Sequence, residues 1–224
     1  MPEIVFSLIL PALNEARRLP LYLETVRGYL ERSFGQSYEI IVVDDGSTDH
    51  TSEIVSSFDD PRLCPLVQIA NSGTGAALNA GIRQATGDYL AFLDADDEFL
   101  PEHLATHVAV MEHQPAIDLL WGGIELVVKE ESQAWVPDMD RGQGLIRVSD
   151  CVVQGTLFAR RPVCRAILYS EDRSVWFQDY DFVQRLRAAG FNVQRFHQPT
   201  YRYYRDSGSS QVDSVKATWD VEQA

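Results

Sequence analysis

Cysteine is scarce and unpatterned in this chain: Cys64, Cys151 and Cys164 show neither CxxC spacing nor an even count. That excludes a disulfide framework or a zinc ribbon, and reduced thiols in a cytosolic protein are the expectation. Basic residues are few as well, with 19 Lys and Arg against 33 Asp and Glu and a formal net charge of -14. So acidic a chain lacks the broad basic face that nucleic acid or an anionic membrane would require. No apolar run approaches the ~20 residues that span a bilayer. Met1-Pro2-Glu3-Ile4 leads straight into an apolar segment, so no signal peptide is expected. There is no phosphate-binding Gly-x4-Gly-Lys-Ser/Thr loop and no Gly-x-Ser-x-Gly elbow, which argues against a P-loop enzyme and a serine hydrolase. Histidine offers no metal constellation. His103 and His107 stand four apart with Leu-Ala-Thr between them, without the Glu of a zinc protease helix, and both are expected on the surface.

What is present is strand and helix in alternation. With 45% apolar and 23% charged residues, the 224-residue chain is expected to form one α/β domain. Val5–Leu10 is a first strand stopped by Pro11, followed by a helix carrying Leu19, Leu23, Val26 and Leu30. Glu39–Val43 is a second strand ending in Asp44-Asp45, with a short helix through Ile54 and Val55 after it. Leu66–Ile69 is a third, followed by a helix over Ala76–Ala85. Tyr89-Leu-Ala-Phe-Leu93 is a fourth, nearly all apolar, and it runs directly into Asp94-Ala-Asp-Asp97. Pro101 is then expected to open a helix carrying Leu104, Val108 and Met111, with Asp97 and Glu98 charging its start as the bland reading. Strand and helix alternating at intervals of about 25 to 30 residues predict a parallel sheet wrapped by crossover helices, in which ligands bind beyond the carboxyl ends of the strands. Acids or Asn-Glu after the first, second and fourth strands therefore point into one crevice.

Beyond Ile117 the pattern loosens. Asp118–Trp121, Ile124–Val128, Thr156–Ala159, Val193–Phe196 and Tyr201–Tyr204 read as separate strands, and Lys129–Gly144 as a mobile loop. Asp179–Ala189 is amphipathic, with Gly190 in a C-cap position.

A crevice lined with hard oxygens suits Mg²⁺ or Mn²⁺ held by one or two carboxylates and substrate phosphates. Asp96 is the first candidate ligand, with Asp94 leaving the same face of an extended backbone. A nucleotide sugar would need that ion at its diphosphate. Asp45 would accept the ring N–H of a uracil, and Pro11, Ala12 and Glu15 would wall base and ribose. Asp179, just past Trp176 and Phe177, is the candidate general base, with Asp181 its local competitor. Each of these acids also has a plain structural reading as a turn former or a helix-start charge.

Several motifs occur together and in order: Ser7-Leu-Ile-Leu-Pro-Ala-Leu-Asn-Glu15, Ile41-Val-Val-Asp-Asp-Gly-Ser-Thr-Asp49, Asn79-Ala-Gly81, Gly87-Asp-Tyr89, Leu93-Asp-Ala-Asp-Asp97 and Gln178-Asp-Tyr-Asp181. In this the chain resembles the family 2 glycosyltransferases of GT-A fold, continuously over about its first 115 residues. The resemblance implies a Rossmann-like three-layer α/β/α architecture with a mixed, mostly parallel sheet. It divides the chain into a nucleotide-sugar half (1–115), an acceptor half (116–206) and a tail (207–224). It implies inverting, metal-dependent transfer from a donor that is most often UDP-linked to a saccharide, lipid-linked or protein acceptor. By position, Pro11, Ala12, Glu15 and Asp45 would hold the nucleoside. Asp94 and Asp96 would form the Asp-x-Asp element, with Asp96 on the metal, and Asp179 would deprotonate the acceptor. Members often carry a late histidine near the metal. Here Tyr203–Ser209 lacks it, and Asp206 is the candidate substitute. Just ahead of Asn79, where a basic residue is common, stand Ala77 and Leu78, and the Gln-x-x-Arg-Trp signature of processive synthases is missing. Single transfer by a cytoplasmic protein, with a homodimer and a peripheral place at a membrane both left open, is the resulting expectation. Two other classes stay open: a sugar-binding module on the same fold, and a nicotinamide oxidoreductase using Gly73–Leu78, whose third glycine is replaced by Leu78.

Overall fold

The computed structural model describes residues 5–205. One eight-stranded sheet runs through both halves of the chain in the order β3-β2-β1-β4-β9-β6-β10-β5. Its first half is the predicted alternation: β1 (Phe6–Ala12), α1 (Leu19–Phe34), β2 (Tyr38–Asp44), α2 (Thr51–Ser57), β3 (Leu63–Val67), α3 (Thr74–Gln84) and β4 (Tyr89–Phe92). These four strands are parallel, with Ala12 opposite Asp44 and Ile9 opposite Phe92. The second half adds β5 (Glu98–Phe99), α4 (His103–His113), β6 (Leu119–Val128), β7 (Trp135–Pro137), β8 (Leu145–Arg147), β9 (Phe158–Arg160), α5 (Arg161–Ala166), α6 (Gln178–Ala188) and β10 (Val193–Arg205). Strand β9 enters antiparallel between β4 and β6, and β5 is antiparallel to β10, so the sheet is mixed but mostly parallel.

Strand alternation sorts the core into two layers. Leu8, Leu10, Ile40 and Val42 meet Leu23, Leu30, Leu104 and Met111 on one face, whereas Ile9, Ile41 and Val43 meet Ala77, Leu78, Ile82 and Phe182 on the other. Each such fully buried side chain contributes about 1.5–3 kcal/mol of apolar burial. Both faces are covered because the βαβ crossovers lay helices on each side, which is why these strands read as unbroken apolar runs.

Several expectations need correcting. The third strand is Leu63–Val67, and Ile69 lies beyond it, exposed. Helix α3 begins at Thr74, two residues before the expected start. The pairs of short strands expected around 118–128 and 193–204 are single long strands, β6 and β10, with a register shift in their pairing between Phe196 and Tyr201. Residues 129–144 are not a loose loop: a 3₁₀ turn (Glu131–Ala134) leads into the β7–β8 hairpin. Thr156 lies in a 3₁₀ turn ahead of β9. Pro101 does not open α4, which starts at His103, and Asp97 is buried, away from that helix's first turn.

The two helix histidines are also misplaced by sequence reasoning. Both are fully buried. The inward stripe of α4 is His103, Leu104, His107 and Met111, a spacing that matches a core face once the imidazoles are counted as apolar. The His103 ring stacks on Phe99 at 4.2 Å and its Nδ1 lies 2.9 Å from Thr200 Oγ1. His107 Nδ1 donates to the His103 carbonyl at 2.7 Å. Burial holds both well below the ordinary histidine range, His107 at about 4. The folded protein therefore refuses protons that the unfolded chain accepts below 6.5. Stability is predicted to fall as pH drops from about 6.5 toward 4, and His107→Leu to flatten that loss; urea midpoints at pH 7 and pH 5 measure it.

Candidate active site

The cleft is assembled at the carboxyl ends of β1, β2 and β4. Beyond β1 the chain turns through Asn14, which holds a left-handed φ of 57°. Its side-chain oxygen accepts from the Thr48 N–H at 2.9 Å, and its own N–H donates to Ser47 Oγ at 2.8 Å. The Glu15 N–H donates to Thr51 Oγ1 at 2.8 Å, and the Asp45 N–H to the Ala12 carbonyl at 2.9 Å. Asp45 in turn accepts from the N–H groups of Ser72 and Gly73 at 2.8 and 2.9 Å, one on each carboxylate oxygen. It knits the third loop to the second and leaves a lone pair on each oxygen for a ligand. Pro11 is half-buried at the rim, and the Ala12 side chain is buried in the core beneath it. The Glu15 carboxylate pairs with Arg18 at 2.9 Å, yet burial raises its pKa, with Asp96 adding to the rise.

After β4 the chain leaves extended geometry. Asp94 to Asp97 form a turn closed by the Asp97 N–H on the Asp94 carbonyl at 3.2 Å, so Asp94 and Asp96 do not project as alternate residues of a strand. The Tyr22 hydroxyl of α1 pins the turn through the same carbonyl at 2.7 Å. Asp94 is half-buried and Asp96 exposed. From the second half, the start of α6 brings Asp179, also half-buried, to the same cleft. Burial, then Asp96 and Asp179, push Asp94 up to about 7. Burial raises Asp179 to about 6 against the opposing N–H groups of Tyr180 and Gln154. Asp94 is therefore crowded by two neighbouring carboxylates, one from its own turn and one from the second half of the chain. A cluster of hard oxygens that raises its own proton affinity is the donor set a divalent cation relieves. Among the described residues no three acids or histidines form a closed metal cage. The fit is thus to an ion carried by one or two carboxylates and completed by ligand oxygens. Asp206, the expected third ligand, lies outside the described residues.

Two further residues belong to the site: Gln154, which the sequence does not single out, and Asp97, which it places only at a helix start. Gln154, buried at 8% exposure, donates from Nε2 to Asp94 Oδ1 at 3.2 Å, and its backbone N–H opposes the rise in the Asp179 pKa. The only local signal was a polar residue beside a glycine inside an apolar run. Asp97 accepts from the Tyr201 hydroxyl at 2.6 Å and the Tyr204 N–H at 3.0 Å, tying the acidic turn to β10. Its burial and the neighbouring Asp94 raise it to about 8. The expected aromatic pair before α6 divides, with Trp176 exposed and Phe177 half-buried. Asp181, the local competitor, pairs with Arg185 at 2.8 Å one turn along α6.

The charge crowding has a measurable consequence. Asp94 keeps its proton in the folded state up to about 7, against an ordinary 3.8, so its contribution to stability is lost as pH rises through 7. Asp94→Asn is expected to raise Tm by a few degrees at pH 8 and much less at pH 5, as scanning calorimetry would show.

An acid-tipped parallel half-sheet, facing a second half that supplies a further carboxylate, is the architecture of GT-A glycosyltransferases, and solved members superpose on it. Staphylococcus aureus TarS 1–349 in complex with UDP matches with a TM-score of 0.69 at 21% identity, covering 90% of this chain and 61% of that one. The mannosyltransferase PcManGT of Pyrobaculum calidifontis, solved with GDP-Man and Mn²⁺, matches with a TM-score of 0.67 at 20% identity, covering 90% and 57%. The chain belongs to glycosyl transferase family 2, whose model matches residues 7–168. Among curated relatives, the PGL/p-HBAD biosynthesis glycosyltransferase of Mycobacterium bovis is 30% identical over 213 residues, covering 93% of this chain and 79% of its own length. The dolichyl-phosphate beta-glucosyltransferase ALG5C of Trichomonas vaginalis is 39% identical over 108 residues, 43% of this chain. The chain spans 32% of that relative's length.

Proposed function

We propose that this glycosyltransferase moves a sugar from a nucleotide-sugar donor to an acceptor hydroxyl with inversion, using Asp179 as general base. The observation that carries the reading is the approach of Asp179, from the second half of the chain, to Asp94 at the end of β4, near enough to raise the Asp94 pKa. In this reading residues 1–115 bind the donor and 116–206 the acceptor. Asp45, still able to accept on both oxygens, takes the ring N–H of the base, with Pro11 and Glu15 beside it. UDP is the favoured nucleotide because a uracil ring offers that N–H; the complexes with UDP and with GDP-Man among similar structures keep both nucleotides in view.

Asp96 and Asp94 would hold Mg²⁺ or Mn²⁺, which when bound neutralises the diphosphate and the charge that grows on it as the sugar departs. Asp179, raised to about 6, is ionised at neutral pH and basic enough to take the acceptor's hydroxyl proton as the new glycosidic bond forms. Gln154 treats the two acids differently: its side-chain amide bonds Asp94, while its N–H favours the ionised form of Asp179. The acceptor is a saccharide, a lipid-linked sugar or a protein, and the protein acts in the cytoplasm or at a membrane surface. No helix among the described residues is long and apolar enough to cross a membrane.

The test is a panel of UDP-, GDP- and dTDP-sugars with and without Mn²⁺, read by thermal shift and by slow release of the nucleotide. Cation-dependent stabilisation with nucleotide release supports the transferase. Stabilisation without release from any donor would make the protein a binding module, and stabilisation by NAD alone would overturn both.

A further inference from the structure

Helix α3 turns one strip of residues toward a segment of the second half of the chain, buried at Gly75 and Asn79 and exposed at Arg83. Gly75, Asn79 and Arg83 succeed one another at i, i+4 and i+8, so they line a single strip of the helix. That strip grips the segment 169–178, which lies just past the end of the family match at residue 168 and delivers the chain to Asp179. Asn79, 1% exposed, uses its whole amide: Nδ2 donates to the Tyr169 carbonyl at 3.0 Å and to Glu171 Oε1 at 2.9 Å, while Oδ1 accepts from the Tyr169 N–H at 2.8 Å. Arg83 adds a contact to the same Glu171 oxygen at 3.3 Å.

One turn earlier, Gly75 lets the segment's backbone press against the helix. A Cβ there would collide with the Ser170 carbonyl oxygen and sit 3.1 Å from Gln178 Oε1, the residue immediately before Asp179. The far end is tied too, since Arg173 reaches Asn71 Oδ1 at 3.2 Å on the loop whose Gly73 N–H binds Asp45. Between these ties the segment closes on itself through Ser174, which bonds Asp172 by both N–H and hydroxyl. A buried amide with every polar atom matched across 90 residues of sequence is costly to disturb and specifies one arrangement.

We infer that Asn79 is a positioning residue for the transfer reaction: it clasps segment 169–178 to α3 and thereby sets Asp179 against the donor side of the cleft. The inference rests on Asp179 being the base. Hydrogen exchange tests the clasp without any reaction. In Asn79→Ala the amides of 169–181 should exchange about tenfold faster while those of β1 and β2 are unchanged. Gly75→Ala, which pushes Ser170 and Gln178 away from the helix, should do the same. Unaltered exchange in that segment refutes the clasp, whatever the protein transfers. Should Asn79→Ala not fold, Glu171→Ala removes one of the three bonds at the surface and should raise exchange in 169–175 by about threefold. In turnover, kcat for Asn79→Ala should fall by about tenfold or more with UDP affinity in Mn²⁺ kept within about threefold. The acid limb of its pH profile should move to lower pH as water reaches Asp179. A parallel loss of nucleotide affinity and kcat would mean a merely structural role and would overturn the assignment. If the wild type releases nucleotide from no donor, the transferase reading falls, while the exchange result still decides the clasp.

Discussion

Asp179→Asn is expected to lower sugar transfer by about 10²- to 10⁴-fold, the usual worth of a positioned general base, while leaving nucleotide affinity nearly unchanged. The amide keeps the shape of the carboxylate and its place at the start of α6, so the fold has no reason to suffer. The wild-type profile should show the matching pH dependence. A base acts only when deprotonated, and burial raises Asp179 to about 6, so the rate should fall roughly tenfold per unit below that pH. Because Asp94 and Asp179 influence one another, the limb reports the pair, and a bound cation on Asp94 and Asp96 would draw it downward. Steady-state kinetics from pH 4.5 to 8 would show it. Transfer persisting at more than about a tenth of the wild-type rate in the Asn variant would remove Asp179 from the chemistry.

The second large effect concerns the ion. Asp96→Asn is expected to weaken UDP binding in Mn²⁺ on the order of 100-fold and to abolish the dependence of that binding on the cation, since losing a direct ligand costs no less than losing one of its supporting partners. The corresponding Tm gain on adding UDP and Mn²⁺, about 2.7 kcal/mol of stabilisation at a hundred times Kd in the wild type, should largely vanish. Glu98→Gln is the control. Glu98 sits two residues on, paired with Arg202 at 2.7 Å on the surface of β5 and β10, and its loss should leave nucleotide binding untouched. Equal cation dependence in wild type and Asp96→Asn would dismantle the metal assignment.

Much of this protein was written locally. Strands β1, β2 and β4 announce themselves as apolar runs, β1 continuing through Pro11 to Ala12 and the other two closing on Asp44-Asp45 and Asp94, because a strand covered on both faces needs no polar alternation. Their common direction follows from the helices between them, so the acids after them had to fall at one edge of the sheet. Candidates such as Asp45, Asp94, Asp96 and Asp179 were therefore legible as residues, though not as contacts.

Tertiary structure alone decided what those residues touch. That Asp97 turns inward to Tyr201, 104 residues away, and that Gln154 reaches back 60 residues to Asp94, has no local signature. The burial of His103 and His107 depended on β5 and β10 laying the rings of Phe99 and Phe196 against α4. Residues 129–144 are polar enough for a loop, yet pairing of β7 with β8 makes a hairpin of the stretch they lead into. Periodicity and punctuation govern a chain's neighbours within a turn or a strand. The partners of a buried polar group are chosen by whichever distant segment the packed sheet brings within about 3 Å, and that choice belongs to the fold as a whole.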